Sequence, residues 1–142
     1  MEYYSRADVI VKAAAVSDYR SAAASEQKIK KDEHTDELIV KFTRNPDILA
    51  ELGKKKGNRV LVGFAAETEK LIANASRKLE DKNLDLIAAN DLTEEGAGFD
   101  VETNRVKFIE PGGKVENLPF ASKNEIAHLL LDRIRQILHT KK

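Results

Sequence analysis

The chain has 142 residues, of which 42% are hydrophobic and 34% charged, and its 24 basic and 24 acidic side chains leave no net charge. This composition is that of a globular domain large enough to bury a core, and it argues against a polynucleotide partner, which usually binds a basic protein. The lack of cysteine excludes disulfides, a thiolate nucleophile and cysteine-bound zinc, and the three histidines do not have metal-ligand spacing.

The first part of the chain contains an apolar run followed by a long polar stretch. Residues 1–6 are typical of the tail of a helix, and residues 9–11 predict a buried strand that leads into three alanines and then the polar sequence SDYR. Residues 21–37 are small, polar and charged, which predicts a long surface loop. Its lysines, Lys28, Lys30 and Lys31, favour a lid that closes over phosphates, although a plain solvated loop has the same composition.

A second strand and the start of a helix follow this loop. Residues 38–42 predict the strand. Asn45 is a favoured N-cap and Pro46 suits the first helical position, so we expect a helix from there to about Leu52. The backbone N–H groups of the next three residues then lack an intrahelical partner and offer an anion site, but ordinary capping alone accounts for these residues.

Strand and helix alternate again through the middle of the chain. Residues 59–64 and 84–89 predict two further buried strands, and residues 69–82 predict a helix with one buried stripe. Phe64 ends the first of these strands, where it either fills the core or stacks on a base. Lys78 and Lys82 lie one turn apart on the helix, a spacing that is usually plain solvent coating.

The rest of the chain predicts a hairpin and a helix. Residues 104–110 and 114–120 flank a Pro-Gly-Gly turn, and the capping box at residues 122–125 opens a final helix whose end, residues 139–142, should fray. The whole pattern predicts an α/β fold, a Rossmann-like three-layer domain with a mostly parallel sheet plus a C-terminal β-hairpin and helix. Polar and cationic residues where the strands end favour a small phosphorylated ligand there.

Several short motifs in a fixed order carry a family resemblance. The sequences AAAVSDYR, KIKK, NPDIL, GFAAETE and AND follow one another as they do in phosphopantothenoylcysteine synthetase, which the chain resembles from about Asp8 to its C-terminus. These enzymes belong to coenzyme A biosynthesis, often as the C-terminal half of a bifunctional bacterial flavoprotein. The resemblance implies one synthetase domain over residues 1–142, with a flexible lid loop at residues 21–37. The resemblance also implies that the domain is N-terminally partial, because the family's glycine-rich phosphate loop and asparagine-bearing segment have no counterpart in this sequence.

The resemblance also implies a reaction and its partners. Enzymes of this family join 4'-phosphopantothenate to L-cysteine. In the bacterial type, CTP with Mg²⁺ activates the pantothenate carboxylate as an acyl-cytidylate, pyrophosphate leaves, and cysteine then displaces CMP. KIKK and AAVSDYR resemble the bacterial branch, which favours CTP over ATP. Family members form homodimers and can carry a fused FMN-dependent decarboxylase domain, but no flavin is expected in this domain itself.

Carried over position by position, the resemblance assigns a nucleotide site. Lys28 is the catalytic cation of the activation step. Asp18 binds the nucleotide or, through water, its magnesium ion, and no side chain is expected to ligate the metal directly. Asn45, Asn90 and Asp91 are further candidates beside the site. The residues expected to bind the nucleotide are Ala14, Ala15, Asp18, Lys28, Pro46, Asp47, Ile48, Leu49, Phe64, Lys78 and Lys82.

Other interpretations compete with this one. A noncatalytic nucleotide-binding module on the same scaffold would not need to keep Lys28, Lys78 and Lys82 together. A fragment without its N-terminal portion would bind nucleotide weakly and fail in synthesis. A dinucleotide oxidoreductase would need a GxGxxG fingerprint and an acidic ribose partner, and the sequence has neither.

The sequence also limits the compartment and the macromolecular partners. No apolar run approaches the ~20 residues of a membrane span, and no signal peptide is visible. We therefore expect a cytoplasmic protein with no membrane and no nucleic-acid partner.

Overall fold

The computed structural model describes residues 3–23, 25, 27–29, 37–93 and 101–141. It divides into two compact units, a large unit of Met1–Ala14 with Ile48–Lys142 and a small unit of Ala15–Asp47. The elements in chain order are a 3-10 turn at Tyr4–Arg6, β1 (Val9–Lys12), β2 (Tyr19–Ser21), β3 (Phe42–Arg44), α1 (Ile48–Lys54), β4 (Val60–Glu67), α2 (Leu71–Asp81), β5 (Leu86–Asp91), β6 (Thr103–Asn104), β7 (Val106–Glu110), β8 (Lys114–Asn117), β9 (Ala121–Ser122) and α3 (Lys123–Lys141).

A five-stranded sheet in the order β1-β4-β5-β7-β8 forms the centre of the large unit. The pairs β1–β4 and β4–β5 are parallel, and the hairpin β7–β8 adds two antiparallel strands beside β5. β6 and β9 form a separate antiparallel pair. The predicted parallel core with a C-terminal hairpin and helix is confirmed.

Helices cover both faces of this sheet, which makes three layers. One buried cluster joins α1 and α2 to alternate residues of β4 and β5, including Leu61, Ala65 and Ile87. The other joins α3 to the intervening residues, including Val62 and Leu86. Because successive strand residues point to opposite faces, the apolar runs in β4 and β5 supply both cores. None of the described helices is long and apolar enough to cross a membrane.

The predicted helices begin and end within a few residues of the observed ones, and the end of the final helix is an informative difference. The buried stripe of α2 consists of Leu71, Ala75 and Leu79, as the spacing predicts. The final helix does not fray at residue 139 but continues to Lys141, because the ammonium of Lys141 binds the Asp85 carboxylate at 2.6 Å and the Arg59 carbonyl at 3.1 Å.

The small unit contains the antiparallel pair β2–β3, with Tyr19 opposite Arg44 and Ser21 opposite Phe42. The predicted strand at residues 38–42 is wrong in its bounds, because pairing with β2 begins only at Phe42. Most of the predicted lid loop lies outside the described residues, which include only 21–23, 25, 27–29 and 37 of that range.

Candidate functional site

The parallel strands of the large unit end at one edge of the sheet, the carboxyl edge. Glu67, the last residue of β4, is in register with Asp91, the last residue of β5, and Ala66 is in register with Asn90. The Asp91 Oδ1 atom accepts hydrogen bonds from the Thr93 hydroxyl at 2.5 Å and backbone N–H at 2.9 Å. These bonds hold the pKa of Asp91 below its usual range. Asn90 and Asp91 therefore lie at the edge where the sequence predicts them.

Lys78 brings a positive charge to this edge. It lies on α2, and its Nζ atom is 2.6 Å from Glu67 Oε1. Asn74 Nδ2 donates to the other carboxylate oxygen of Glu67 at 3.3 Å and to the Glu69 carbonyl at 3.0 Å. The Glu67 side chain is only 14% exposed while that of Lys78 is 41% exposed. A shielded carboxylate thus holds a cation that solutes can still reach.

Lys82 lies just after α2. Its N–H donates to the Lys78 carbonyl at 3.2 Å, which closes the last turn. Its own carbonyl lies where a Cβ at Gly53 would be, so only glycine lets α1 end this close to the end of α2. Lys78 and Lys82 therefore lie one helical turn apart. Lys78 contacts Glu67 at the carboxyl edge.

Phe64 points to the opposite face of β4 from Glu67. It shares the α3 face with Val60 and Val62, which are fully buried, yet Phe64 itself is 38% exposed. Its neighbour in the sheet is Ala88, whose small side chain leaves the ring uncovered. Phe64 is therefore not an ordinary core residue, and solvent can reach part of its side chain.

In the small unit, Asp18 and Asn45 lie side by side at one end of the two strands. The Asn45 N–H donates to the Asp18 carbonyl at 2.8 Å, and Asn45 Nδ2 donates to the Ser17 carbonyl at 2.7 Å. Arg20 Nη1 donates to Asn45 Oδ1 at 2.9 Å. The predicted N-cap role of Asn45 is wrong, because α1 begins at Ile48 and the Asn45 amide bonds Ser17 and Arg20 instead.

The remaining predicted site residues can be placed within their own units. In the large unit, Leu49 is buried and its neighbour Ile48, at the start of α1, is exposed. Ala14 is also exposed, and its carbonyl accepts a hydrogen bond from Lys12 Nζ at 3.1 Å. The small-unit residues of the set are exposed, apart from the half-buried Asn45: Ala15, Asp18, Lys28, Pro46 and Asp47.

Two features of the sites have no counterpart in the sequence reasoning. Glu67 was not predicted as a partner of Lys78, although it stands at a strand end within the GFAAETE motif. In the sequence, Arg20 is only one charged residue of the polar stretch SDYR, whereas the structure shows it bonded to Asn45. Both pairs join residues at least eleven positions apart, so only the packing of the elements reveals them.

A cavity of about 720 Å³ lies at the opposite edge of the large unit, near Asp8, Arg59 and Lys141. It contains none of the predicted site residues. Arg59 and Lys141 are already bonded within the protein there, Arg59 to backbone carbonyls and Lys141 to Asp85. The candidate functional residues therefore lie elsewhere.

The fold and the charged carboxyl edge define a three-layer α/β domain of the kind that binds ligands beyond its parallel strands. Residues 1–138 match the family described as the DNA/pantothenate metabolism flavoprotein C-terminal domain. The chain belongs to this family.

Similar curated proteins are longer than this chain. It is 41% identical over 134 residues to the coenzyme A biosynthesis bifunctional protein CoaBC of Bacillus subtilis (strain 168), covering 94% of this chain and 32% of that protein. It is 40% identical over 140 residues to a cysteine/cysteine sulfinic acid decarboxylase of an unknown prokaryotic organism, covering 98% of this chain and 38% of that protein. The chain thus spans about a third of the length of these relatives.

Solved structures share the fold. The C-terminal domain of the coenzyme A biosynthesis bifunctional protein CoaBC superposes with a TM-score of 0.77 and 32% identity, over 98% of this chain and 59% of that one. The DNA/pantothenate metabolism flavoprotein from Streptococcus pneumoniae gives a TM-score of 0.70 and 26% identity, over 96% of this chain and 64% of that one. The predicted family and fold are therefore confirmed.

Proposed function

We propose that this domain performs the CTP-dependent ligation of 4'-phosphopantothenate with L-cysteine in coenzyme A biosynthesis. The observation that carries the proposal is the 41% identity to a coenzyme A biosynthesis bifunctional protein over 94% of the chain. The products are 4'-phosphopantothenoylcysteine, CMP and pyrophosphate. A ligase of this kind would act in the cytoplasm.

The reaction takes place in two steps. A carboxylate oxygen of 4'-phosphopantothenate attacks the α-phosphorus of CTP, and the bond from that phosphorus to pyrophosphate breaks. The cysteine amine then attacks the acyl carbon, CMP leaves with the bonding electrons, and the nitrogen loses a proton as the amide forms. The first step brings two anions together, so positive charge near the α-phosphate lowers its barrier most.

The chain's own residues supply part of that charge. Lys28 acts as the cation that stabilises the activation step, and Lys78 and Lys82 bind the triphosphate. The position of the Lys78 ammonium at the carboxyl edge, 2.6 Å from Glu67, supports this role. Phe64, which is partly exposed, contacts the nucleotide, and Ala14, Ala15, Asp18 and the 46–49 segment complete the binding set, with Asn45, Asn90 and Asp91 beside it.

Magnesium fits the donor chemistry of this set. No group of three or more His, Cys, Asp or Glu side chains that could hold a metal ion occurs among the described residues, and the Asp18 carboxylate is exposed. A single hard oxygen donor suits Mg²⁺, which keeps most of its ligands from phosphates and water. When bound, the ion neutralises charge on the triphosphate, and Asp18 would hold it through water.

We also propose that the domain forms a homodimer. Large apolar side chains are exposed in the small unit, among them Ile39 at 86% and Phe42 at 63%. Where such side chains adjoin one another, they usually mark a surface that binds another protein. A fused decarboxylase domain is a further proposed partner, because one relative is named a decarboxylase and the other a bifunctional protein.

The proposed function is tested by calorimetric titration of this chain with CTP in the presence of Mg²⁺, using ATP as the control nucleotide. We expect CTP to bind at least about tenfold more tightly than ATP, a difference of roughly 1.4 kcal/mol. Equal affinities, or no binding of either nucleotide by the folded chain, would contradict the proposal.

Two lysine variants, Lys28→Gln and Lys55→Gln, separate nucleotide binding from the ligation step. Lys28→Gln should change CTP affinity by less than about tenfold, because its cation is assigned to the transition state. It should abolish ligation in a chimera in which this chain replaces the matching part of the Bacillus subtilis CoaBC. Lys55→Gln is the matched control, because it removes an exposed lysine that follows α1. It should leave both CTP affinity and ligation unchanged.

A further inference from the structure

The Arg20 guanidinium is bonded to the chain where β3 ends. Within the small unit, its Nη1 atom donates to the Arg44 carbonyl at 3.1 Å and to Asn45 Oδ1 at 2.9 Å. The two acceptors are successive residues, one offering backbone and the other side chain. Arg20 itself lies in the middle of β2, opposite Thr43. One guanidinium nitrogen therefore fixes the point at which the chain leaves the strand.

Asn45 is held from three directions at this point. Its Oδ1 accepts from Arg20, its Nδ2 donates to the Ser17 carbonyl at 2.7 Å, and its N–H donates to the Asp18 carbonyl at 2.8 Å. Because a guanidinium only donates and a carbonyl only accepts, the amide has one orientation that satisfies both neighbours. Arg20 thereby determines which way the Asn45 side chain faces.

Pro46 transmits this arrangement to the next residues. A residue before proline is restricted to extended backbone, and proline itself has a fixed φ. The direction of the chain at Pro46 and Asp47 therefore depends on how Asn45 is held. Asp18, on the other side of the same hydrogen-bonded pair, is set by the same contacts.

We propose that Arg20 is a positioning residue of the nucleotide site, acting through Asn45 to set Asp18 and the Pro46–Asp47 turn in place for CTP. The inference rests on the proposed function, which assigns Asp18, Pro46 and Asp47 to the nucleotide. Arginine suits this role better than lysine, because its planar fork can reach two acceptors with little loss of freedom. The competing possibility is that Arg20 contacts the phosphates directly.

A double-mutant cycle separates these two roles. We expect Arg20→Ala and Asn45→Ala each to weaken CTP binding by roughly fivefold to tenfold, as the loss of a hydrogen bond to a charged group does. The double variant should bind CTP no more than about twofold more weakly than the single variant with the lower affinity, because both substitutions remove the same Arg20–Asn45 interaction. Effects that multiply would mean that Arg20 acts without Asn45 and would overturn the proposal.

Two further variants control for charge and for shape. Arg44→Ala removes a neighbouring guanidinium, from the residue opposite Tyr19 in the strand pair, but keeps the carbonyl that Arg20 binds, so it should weaken CTP binding by less than about twofold. Arg20→Lys keeps the charge with one compact donor and should restore part of the affinity lost in Arg20→Ala. An Arg44→Ala variant as weak as Arg20→Ala would indicate general attraction of phosphates and contradict positioning.

A measurement without nucleotide keeps this inference separate from the proposed function. In nuclear magnetic resonance spectra of the free chain, the Asn45 side-chain amide protons should exchange slowly with solvent, and Arg20→Ala should speed that exchange and shift both signals, because the amide is then no longer held at its oxygen. Unchanged Asn45 signals in Arg20→Ala would refute the positioning role whatever the nucleotide does. Intact Asn45 signals in a wild-type chain that binds no CTP would instead count against the proposed function.

Discussion

Phe64 and Glu67 show how two residues near one strand end can serve two faces of a sheet. Phe64 points to the α3 side and Glu67 to the α2 side, where it holds Lys78. A partly exposed aromatic ring and a cation at the same edge are the two kinds of group that bind a base and a phosphate. The single observation that distinguishes Phe64 from a core residue is its 38% exposure.

The exposure of Phe64 leads to a prediction for Phe64→Ala. The variant should weaken CTP binding but lower the free energy of unfolding by less than about 2 kcal/mol, because much of the ring is not buried. Phe108→Ala is the matched control. Phe108 lies in the same α3-side core and is 2% exposed, so its loss should cost about 3 to 5 kcal/mol.

Urea unfolding and nucleotide titration of both variants test this expectation. If Phe64→Ala destabilises the protein as much as Phe108→Ala and leaves CTP affinity unchanged, Phe64 belongs to the core and has no role in binding.

At the scale of elements, the capping box of α3 is confirmed in both directions. The Ser122 hydroxyl and N–H donate to Glu125 Oε2 at 2.7 and 2.9 Å, and the Glu125 N–H donates to Ser122 Oγ at 3.2 Å. The hydrogen bonds from Ser122 hold the pKa of Glu125 below its ordinary value of 4.5. This feature was visible in the sequence because both partners lie within four residues.

The capping box predicts a pH-dependent effect of Ser122→Ala. At neutral pH the variant should lose about 1 kcal/mol of unfolding free energy. A carboxyl with a lowered pKa in the folded state stabilises above its unfolded pKa, and that contribution disappears as the pH falls through the folded value. The difference between wild type and variant should therefore shrink as the pH falls below about 4.5.

Thermal unfolding between neutral and acidic pH measures this difference. Glu125→Gln is the control, because glutamine can also accept from Ser122 but does not titrate in this range. A Ser122→Ala effect that stays constant with pH would show that the Glu125 charge does not contribute to the cap.

At the scale of the whole molecule, the periodic elements were predictable and the contacts between distant elements were not. The apolar runs of β4 and β5 and the stripe of α2 are local patterns that the sequence displays directly. Local patterns did not predict two helix ends. The Asn45 side chain bonds Ser17 and Arg20 and does not cap α1, which begins at Ile48. The end of α3 extends to Lys141, which binds Asp85. The Glu67–Lys78 and Arg20–Asn45 pairs are likewise contacts between residues distant in sequence, which local patterns do not predict.

Asp85 is the contact on which several elements of the large unit converge. It is 8% exposed at the amino end of β5, and its Oδ1 atom lies 3.1 Å from Lys56 Nζ and 2.6 Å from Lys141 Nζ. Its Oδ2 accepts from the Leu61 N–H of β4 at 2.8 Å. One carboxylate thus ties the end of α3 and the chain after α1 to the central sheet.

Asp85→Asn should therefore destabilise the whole large unit by about 3 kcal/mol, because it leaves the largely buried Lys56 ammonium and the partly exposed Lys141 ammonium without a counter-charge. Asp132→Asn is the matched control, since Asp132 forms an exposed ion pair with Arg135 on α3, and its loss should change the unfolding free energy by no more than about 1 kcal/mol. Urea unfolding followed by circular dichroism measures both values. Equal stability of Asp85→Asn and Asp132→Asn would contradict this prediction. It would mean that water solvates the Lys56 and Lys141 ammonium groups when Asp85 is neutral, and that apolar contacts hold the last turn of α3.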